Sequence, residues 1–198
     1  MQPQLQNDSV PSSFLPVSLV TQRGRAVQIR PMTIGDYGAL ILFYCGLSAQ
    51  TIYLRYFMPR PAFDADSAAH EAQRVLAQGP LSALIALIPT PHGEEIIGLV
   101  ELSIAEPAGS AAEVAVVVSD AYQSEGIGSA LCSQVRLLAH SRGVVMIEAM
   151  ILHENQAIPR LLARLSQPYS LISRQGVRML QVPLSSQNQE PRTKNQAH

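Results

Sequence analysis

Two hydrophobic rhythms alternate along the chain. In "TIGDYGALILFYCGLS", Ile34, Tyr37, Leu40, Ile41, Tyr44 and Leu47 recur at helical spacing, and Thr33 stands where an N-cap belongs. A second, shorter helix is predicted over "SAQTIYLRYF". A third is predicted over "FDADSAAHEAQRVLAQG", opened by Asp64 or Asp66 and stopped by Gly79 and Pro80. The middle of the chain changes character. "LSALIALI", "EEIIGLVELSIA" and "AAEVAVVVS" are strand-like runs divided by the turn sequences "PTPHG" and "EPAGS", the pattern of an antiparallel meander. Upstream, "LPVSLVTQRGRAVQIRP" reads as a hairpin turning near Arg23 and Gly24. Downstream come a helix to about His140, a strand over "GVVMIEAMIL", and a helix over "ENQAIPRLLARLS" with Pro159 in its first turn, where a missing N–H costs least. A hairpin over "YSLISRQGVRMLQVPL", turning at Gln175 and Gly176, closes the pattern. These elements predict an α/β domain of the α+β kind, with a central, mostly antiparallel mixed sheet flanked by helices.

The 198 residues suffice for one domain with a substantial core. Residues 1–13 and 185–198 are polar and rich in Gln, Asn, Ser and Pro, so they are expected to be mobile tails around a single folded unit over 14–184. Charge is nearly balanced, 14 basic against 15 acidic residues, with no basic block to mark a nucleic-acid partner. No apolar run approaches the ~20 residues of a membrane span, and the first residues lack the parts of a signal peptide. Cys45 and Cys132 form neither a disulfide framework nor a zinc spacing, and a reducing, cytoplasmic setting with no metal is expected.

The chemistry concentrates in "VVVSDAYQSEGIGSALCSQ", where a strand-like run gives way to a polar turn and two glycines, Gly126 and Gly128, at the start of a helix. A helix N-terminus presents free N–H groups and a partial positive charge, and glycine removes the side chains that would keep a phosphate away. The segment therefore reads either as a pyrophosphate cradle or as a glycine-softened turn packed on the sheet. It is not a P-loop, because Ser129 and Ala130 stand where lysine and serine are needed. It half-matches the dinucleotide pattern, with Glu148 placed as a ribose-binding acid. However, Leu131 replaces the third glycine, and the preceding strands read as hairpins.

"AEVAVVVSDAYQSEGIGSAL" resembles the acyl-CoA signature of the GNAT N-acetyltransferase superfamily, Gln/Arg-x-x-Gly-x-Gly/Ala, with Gln123, Gly126 and Gly128 matching. "VQIRPMTIGDYGAL", "LSAQTIYLRYF" and "ILHENQAIPRLLARL" are similar to further segments of the GNAT domains of bacterial Pat-type protein lysine acetyltransferases. The resemblance covers roughly Pro16 to Leu184. It implies an acetyl-CoA-dependent transfer to an amine, such as a protein lysine; charge balance and hydropathy lead us to expect no nucleic-acid or membrane partner, and a homo-oligomer stays open. It also implies that Val116, Val117 and Val118 would pair with the pantetheine arm like an added strand. The N–H groups of Gln123, Ser124, Glu125, Gly126, Ile127, Gly128 and Ser129 would hold the pyrophosphate. The strand "VVMIEAMIL" would splay from its neighbour to admit the thioester, with Asn155 close to the cofactor arm or serving as an ordinary N-cap.

Transfer to an amine needs a neutral nucleophile, and a lysine of pKa ~10.4 costs about 4–5 kcal/mol to deprotonate near pH 7. Glu113 is the candidate base, opening "EVAVVV" at a spacing ahead of Gln123 that resembles the family's catalytic glutamate. Glu101, inside "GLVELS", is the second candidate. A regular hairpin would put the two on one face, where one carboxylate would raise the pKa of the other. The sequence departs from the family at Leu162, where many members carry a tyrosine acid, and at Ser166 and Gln167. It also departs at Glu125, which is expected to set a negative charge beside the bound anion. The tyrosine's absence and Glu125 keep open a second reading, a GNAT-fold module that senses acyl-CoA without turnover. The dinucleotide pattern leaves a third, a nicotinamide-dependent oxidoreductase.

Overall fold

The computed structural model describes residues 16–79, 81–104, 111–158, 160–161, 168–174 and 176–184. The first hairpin is β1 (Val17–Val20) and β2 (Ala26–Pro31), followed by a single 3-10 turn at Ile34–Asp36 and α1 (Tyr37–Cys45). The Asp36 carboxylate accepts from the Thr33 N–H and from both terminal nitrogens of Arg30, which fixes the entry to α1. Helix α2 (Ala49–Tyr56) is capped by the Ser48 hydroxyl, which accepts from the Thr51 N–H. Helix α3 (Ala65–Leu76) is capped by Asp64 rather than Asp66. The meander is β3 (Ala83–Thr90), β4 (Gly93–Ile104) and β5 (Ala111–Val118). Helix α4 (Ile127–Ser141) leads to β6 (Met146–Leu152), and β7 (Ser170–Arg174) and β8 (Val177–Pro183) form the last hairpin.

All eight strands join one sheet in the order β1-β2-β3-β4-β5-β6-β8-β7. Every pairing is antiparallel except β5 with β6, which α4 connects as a crossover. One face packs Ile97, Val100, Val114 and Ile147 against Ile127, Leu131, Val135 and Leu138 of α4. The other packs Ile85, Leu87, Ile96 and Leu99 against Leu40, Phe43 and Tyr44 of α1, Ile52 of α2 and Ala72 of α3. Burial of each such side chain contributes about 1.5–3 kcal/mol before entropic costs.

Between Ala86 and Leu87 the β3–β4 register slips, so Ile97 has no partner while Gly98 pairs with Ala86 and Ile96 with Leu87. The bulge turns both Ile97 and Gly98 toward α4. A Cβ on Gly98 would stand 3.0 Å from Leu131 Cδ1 and 3.3 Å from Ile127 Cγ2. Close approach of helix to sheet is therefore secured by a glycine in β4, and Leu131 at the dinucleotide pattern's third glycine position is a fully buried packing residue. The bulge lies upstream of Glu101, so the β4–β5 ladder from Gly98 to Ile104 is regular.

Ala157, Ile158, Arg160 and Leu161 are helical, as predicted after Asn155. Leu162, Ser166, Gln167, the "EPAGS" turn and the two predicted tails lie outside the described residues. Among the described residues no single helix is long and apolar enough to cross a membrane, and no cluster of His, Cys, Asp and Glu has metal-binding geometry.

Candidate active site

The loop from β5 to α4 is shaped by two residues with left-handed backbone, Ser124 (φ 64°) and Gly126 (φ 93°). Gly126 is the N-cap of α4, and a Cβ built there would meet nothing within 4 Å, because the position faces open space. Between these two residues the side chain of Glu125 turns inward. It is 2% exposed; Oε2 accepts from the Thr21 hydroxyl at 2.9 Å and lies 3.4 Å from Arg25 Nε. Oε1 lies 3.7 Å from Arg23 Nη1 and has no hydrogen-bond partner among the described residues. The Arg25 guanidinium also stacks over the Tyr122 ring. The expectation that Glu125 sets its charge beside a bound anion is thereby corrected. Its carboxylate is a buried strut that fastens the loop to the β1–β2 turn, and Ile127 likewise buries its side chain.

Gln123 also serves the loop. Its Nε2 donates to the Val118 carbonyl and to Thr51 Oγ1, and Thr51 Oγ1 donates to Asp120. Asp120 further accepts from the Ser48 N–H and hydroxyl. The start of α2 is thus tied to the loop that opens α4. Burial alone would push the Asp120 carboxyl up, but the Ser48 and Thr51 hydrogen bonds outweigh it and hold the carboxyl below its ordinary value.

Beyond this loop runs a cleft of about 320 Å³. Val116, Val117, Val118, Gln123, Ser124, Gly126, Gly128, Ser129 and Asn155 all line it, whereas Glu125 and Ile127 do not. Its origin is the departure of β6 from β5. The parallel ladder pairs Ala111 with Met146, Ala112 with Ile147 and Glu113 with Glu148, and then stops. Val114–Val118 therefore have no strand partner on the β6 side, which is the splay expected between these strands. An extended chain entering there would find unpaired backbone donors and acceptors. Asn155 is buried, and its Oδ1 accepts from the Ala157 and Ile158 N–H groups, so it caps the following helical turn while lining the cleft. Cys132 lines the cleft as well, but burial pushes its thiol up to about 12, which keeps it protonated at neutral pH and unsuited to nucleophilic attack.

Glu113 sits on the last rung before the splay and is exposed. It also lines a second, polar cavity of about 230 Å³ with Arg55, Tyr56, Arg74, Glu101, Ser103 and Ala115. Glu101 pairs with Ala115 and Glu113 with Ser103, so both carboxylates share a face, as parity predicted. Their roles differ. Glu101 is buried, with Arg55 Nη2 at 2.5 Å from Oε1 and Arg74 Nη2 at 2.7 Å from Oε2. Arg74 also binds Glu71, which accepts from the Tyr56 hydroxyl. With a guanidinium on each oxygen, Glu101 is the centre of a structural ion-pair network, and the geometry does not suit it as the base. The carboxylate that does neighbour Glu113 is Glu148, its partner across the parallel rung. A charge inside the apolar run "VVMIEAMIL" was the available signal for it, as for Glu101. The position considered for a ribose-binding acid is thus on the sheet face opposite α4, beside Glu113 and hydrogen-bonded to Gln181.

Comparison with known proteins agrees with this geometry. A family profile described as "Acetyltransferase (GNAT) domain" matches residues 27–166. Acetyltransferase Pat of Mycolicibacterium smegmatis is 27% identical over 161 residues, covering 76% of this chain; the chain spans 44% of that relative's length. The crystal structure of the GNAT domain of S. lividans PAT superposes with a TM-score of 0.72 at 27% identity, covering 89% of this chain and 100% of that one. A Salmonella typhimurium protein solved with its cofactor acetyl-CoA shares the fold at a TM-score of 0.59 and 19% identity, covering 84% of this chain and 98% of that one. The profile match takes in the splayed strands, the glycine loop and the helix it opens, and with them the chain belongs to the GNAT acetyltransferase family.

Proposed function

We propose that this chain transfers the acetyl group of acetyl-CoA directly to an amine, with a protein lysine as acceptor and Glu113 as general base. The observation that carries the proposal is the position of Glu113. It borders both the long cleft and the small polar cavity, at the rung where β5 and β6 part. A donor thioester in the cleft and an amine in the polar cavity would meet there, held in place rather than by chance encounter.

The residues present suit the donor. The loop enters α4 through left-handed backbone at Ser124 and Gly126, and the free N–H groups of a helix start favour a pyrophosphate. The unpaired edge of Val114–Val118 offers backbone partners to a pantetheine amide, and an N–H of this edge would polarise the thioester carbonyl. When bound, acetyl-CoA supplies the activated acyl group. The chain's own part is to orient it and to accept the ammonium proton at the Glu113 carboxylate, while CoA would leave as the thiolate and take its proton from water. The reading as a sensor without turnover drew on Glu125 and on Leu162; the inward turn of Glu125 removes the first reason, and Leu162 lies outside the described residues.

The test is acetylation of a lysine peptide, followed by mass spectrometry, with acetyl-CoA affinity measured in parallel. Glu113→Gln is expected to keep affinity for acetyl-CoA and to lose about 10²–10⁴-fold in rate near neutral pH. Full rate in Glu113→Gln, with the loss appearing instead in a folded Glu101→Gln variant, would assign the base to the other glutamate.

A further inference from the structure

The open face at the far end of the sheet carries an apolar rank. Met150 of β6 pairs with Met179 of β8, and Met179 pairs with Ile172 of β7. The three are 46%, 38% and 43% exposed. Strands are spaced by about 4.8 Å, so the rank extends roughly 10 Å across the sheet. It lies on the same face as Glu113, because Glu113 pairs with Glu148 and Met150 follows Glu148 by one alternation. Met150 also lines the donor cleft, so the rank begins at the splay and runs outward to the edge strand. The neighbouring rank is polar: Glu148 accepts from Gln181, and Gln181 pairs with Ser170. Methionine side chains adapt to varied partners, which suits a surface that receives more than one sequence.

We propose that this rank is the docking surface for a polypeptide acceptor that carries an apolar residue beside its reactive lysine; the proposal rests on the acetyltransferase reading. Charge complementarity favours this occupant. Glu113 and Glu148 stand side by side at the inner end of the rank, while the nearby guanidiniums of Arg55 and Arg74 are engaged by Glu101. A lysine ammonium therefore meets carboxylates at the splay as the flanking apolar side chain settles on Met179 and Ile172. A second copy of the chain is the alternative occupant, and the oligomeric state distinguishes it.

The test uses the full 198-residue chain and two lysine peptides that differ only in leucine or serine at the positions flanking the lysine. Binding is read by fluorescence anisotropy and acetylation by mass spectrometry. The leucine peptide is expected to show a Kd and a KM about 10-fold lower or better, the scale of burying one apolar side chain. Met179→Asp with Ile172→Asp, both at exposed positions outside the donor cleft, should abolish that preference while leaving acetyl-CoA affinity unchanged. Equal binding of the two peptides, or a preference that survives the double substitution, overturns the docking surface. So does a wild-type dimer in sedimentation that the substitutions dissociate, since a second copy would then be the occupant. Substitution-sensitive binding without acetylation would uphold the surface and reject the catalytic reading instead.

Discussion

Around residues 123–129 the cleft is lined mainly by serines and glycines, whereas around Glu113 charged side chains gather. In the loop, Glu125 and Ile127 bury their side chains, Gln123 spends its amide on Val118 and Thr51, and glycines occupy positions that a side chain would fill. At the other end, Glu113, Glu101, Arg55 and Arg74 line a small polar space, with Glu148 beside Glu113 on the parallel rung. The difference follows from the ligands each region suits. A pyrophosphate is the same in every turnover and can be met by N–H groups that carry no sequence. An acceptor must be chosen and deprotonated, which needs side chains of definite charge. The contrast also teaches where substitutions act. In the loop, side chains matter by what they hold beneath the surface; around Glu113, they matter by what they show above it.

Glu125→Arg gives the sharpest attempt to break that comparison. Were Glu125 a surface charge facing the anion, arginine would tighten acetyl-CoA binding, most of all at low salt. As a buried strut between Thr21, Arg23 and Arg25, it should respond in the opposite sense. The variant would bury a third cation beside two guanidiniums and lose the Thr21 acceptor. The expected cost is of order 3 kcal/mol, reduced to the extent that the half-exposed arginines swing into water. For a chain of this size that lowers the melting midpoint by roughly 6–12 °C. A variant that melts with the wild type and binds acetyl-CoA more tightly would show that the loop's side chains do face the ligand.

The alternation of apolar and polar residues made the hairpins, the meander and each described helix legible, because these depend on period and on local caps such as Ser48 and Asp64. Parity even placed Glu101 and Glu113 on one face, since the bulge at Ile97 falls outside the rungs between them. The sequence leaves open what meets that face. Arg55 and Glu101 are 46 residues apart, and Thr21 and Glu125 are 104 apart. No local rhythm records such partners, so Glu101 read as a second base and Glu125 as a ligand-facing charge. The same holds for strand order. The last hairpin was visible, but that β8 rather than β7 pairs with β6, setting Met179 between Met150 and Ile172, emerges only from the assembled sheet.

Gly128→Asp acts on the ligand side of the loop and is expected to have a smaller effect on the fold. A Cβ at this position would meet Leu161 Cδ1 at 3.4 Å and Val118 Cγ2 at 3.8 Å, so alanine requires only slight adjustment. The aspartate carboxylate would enter the cleft wall near the α4 N-terminus, within reach of a bound phosphate. Like charges a few ångströms apart at an effective dielectric of ~20 repel by a few kcal/mol before screening. The expected result is acetyl-CoA binding at least 10-fold weaker by calorimetry, with Gly128→Ala close to wild type and both variants keeping the wild-type circular dichroism. Equal affinity for the aspartate variant would place the phosphate elsewhere.

The smallest effect is expected from Asp120, which joins the two regions by tying the start of α2 to the glycine loop. Its carboxyl is held below the ordinary value by hydrogen bonds from Ser48 and Thr51, against the opposing push of burial. A carboxyl depressed in the folded state contributes stability that is fully present above its unfolded pKa, here 3.8, and that is lost as pH falls through the folded value. Asp120→Asn retains an acceptor for Thr51 but no charge, so it should be less stable than wild type at neutral pH by about 1 kcal/mol or less, given the exposure of the site. On acidification from pH 5 toward pH 2 the wild type should lose this advantage and the two melting curves should converge, while Asp36 and Glu71, also depressed, lower both curves alike. Because the same carboxylate orients Thr51 and through it Gln123, the variant should also weaken acetyl-CoA binding at neutral pH by a few fold, the scale of one hydrogen bond. A gap between the curves that stays constant down to pH 2 would show that Asp120 acts by shape rather than by charge, and unchanged acetyl-CoA affinity would show that the tie from α2 does not reach the loop.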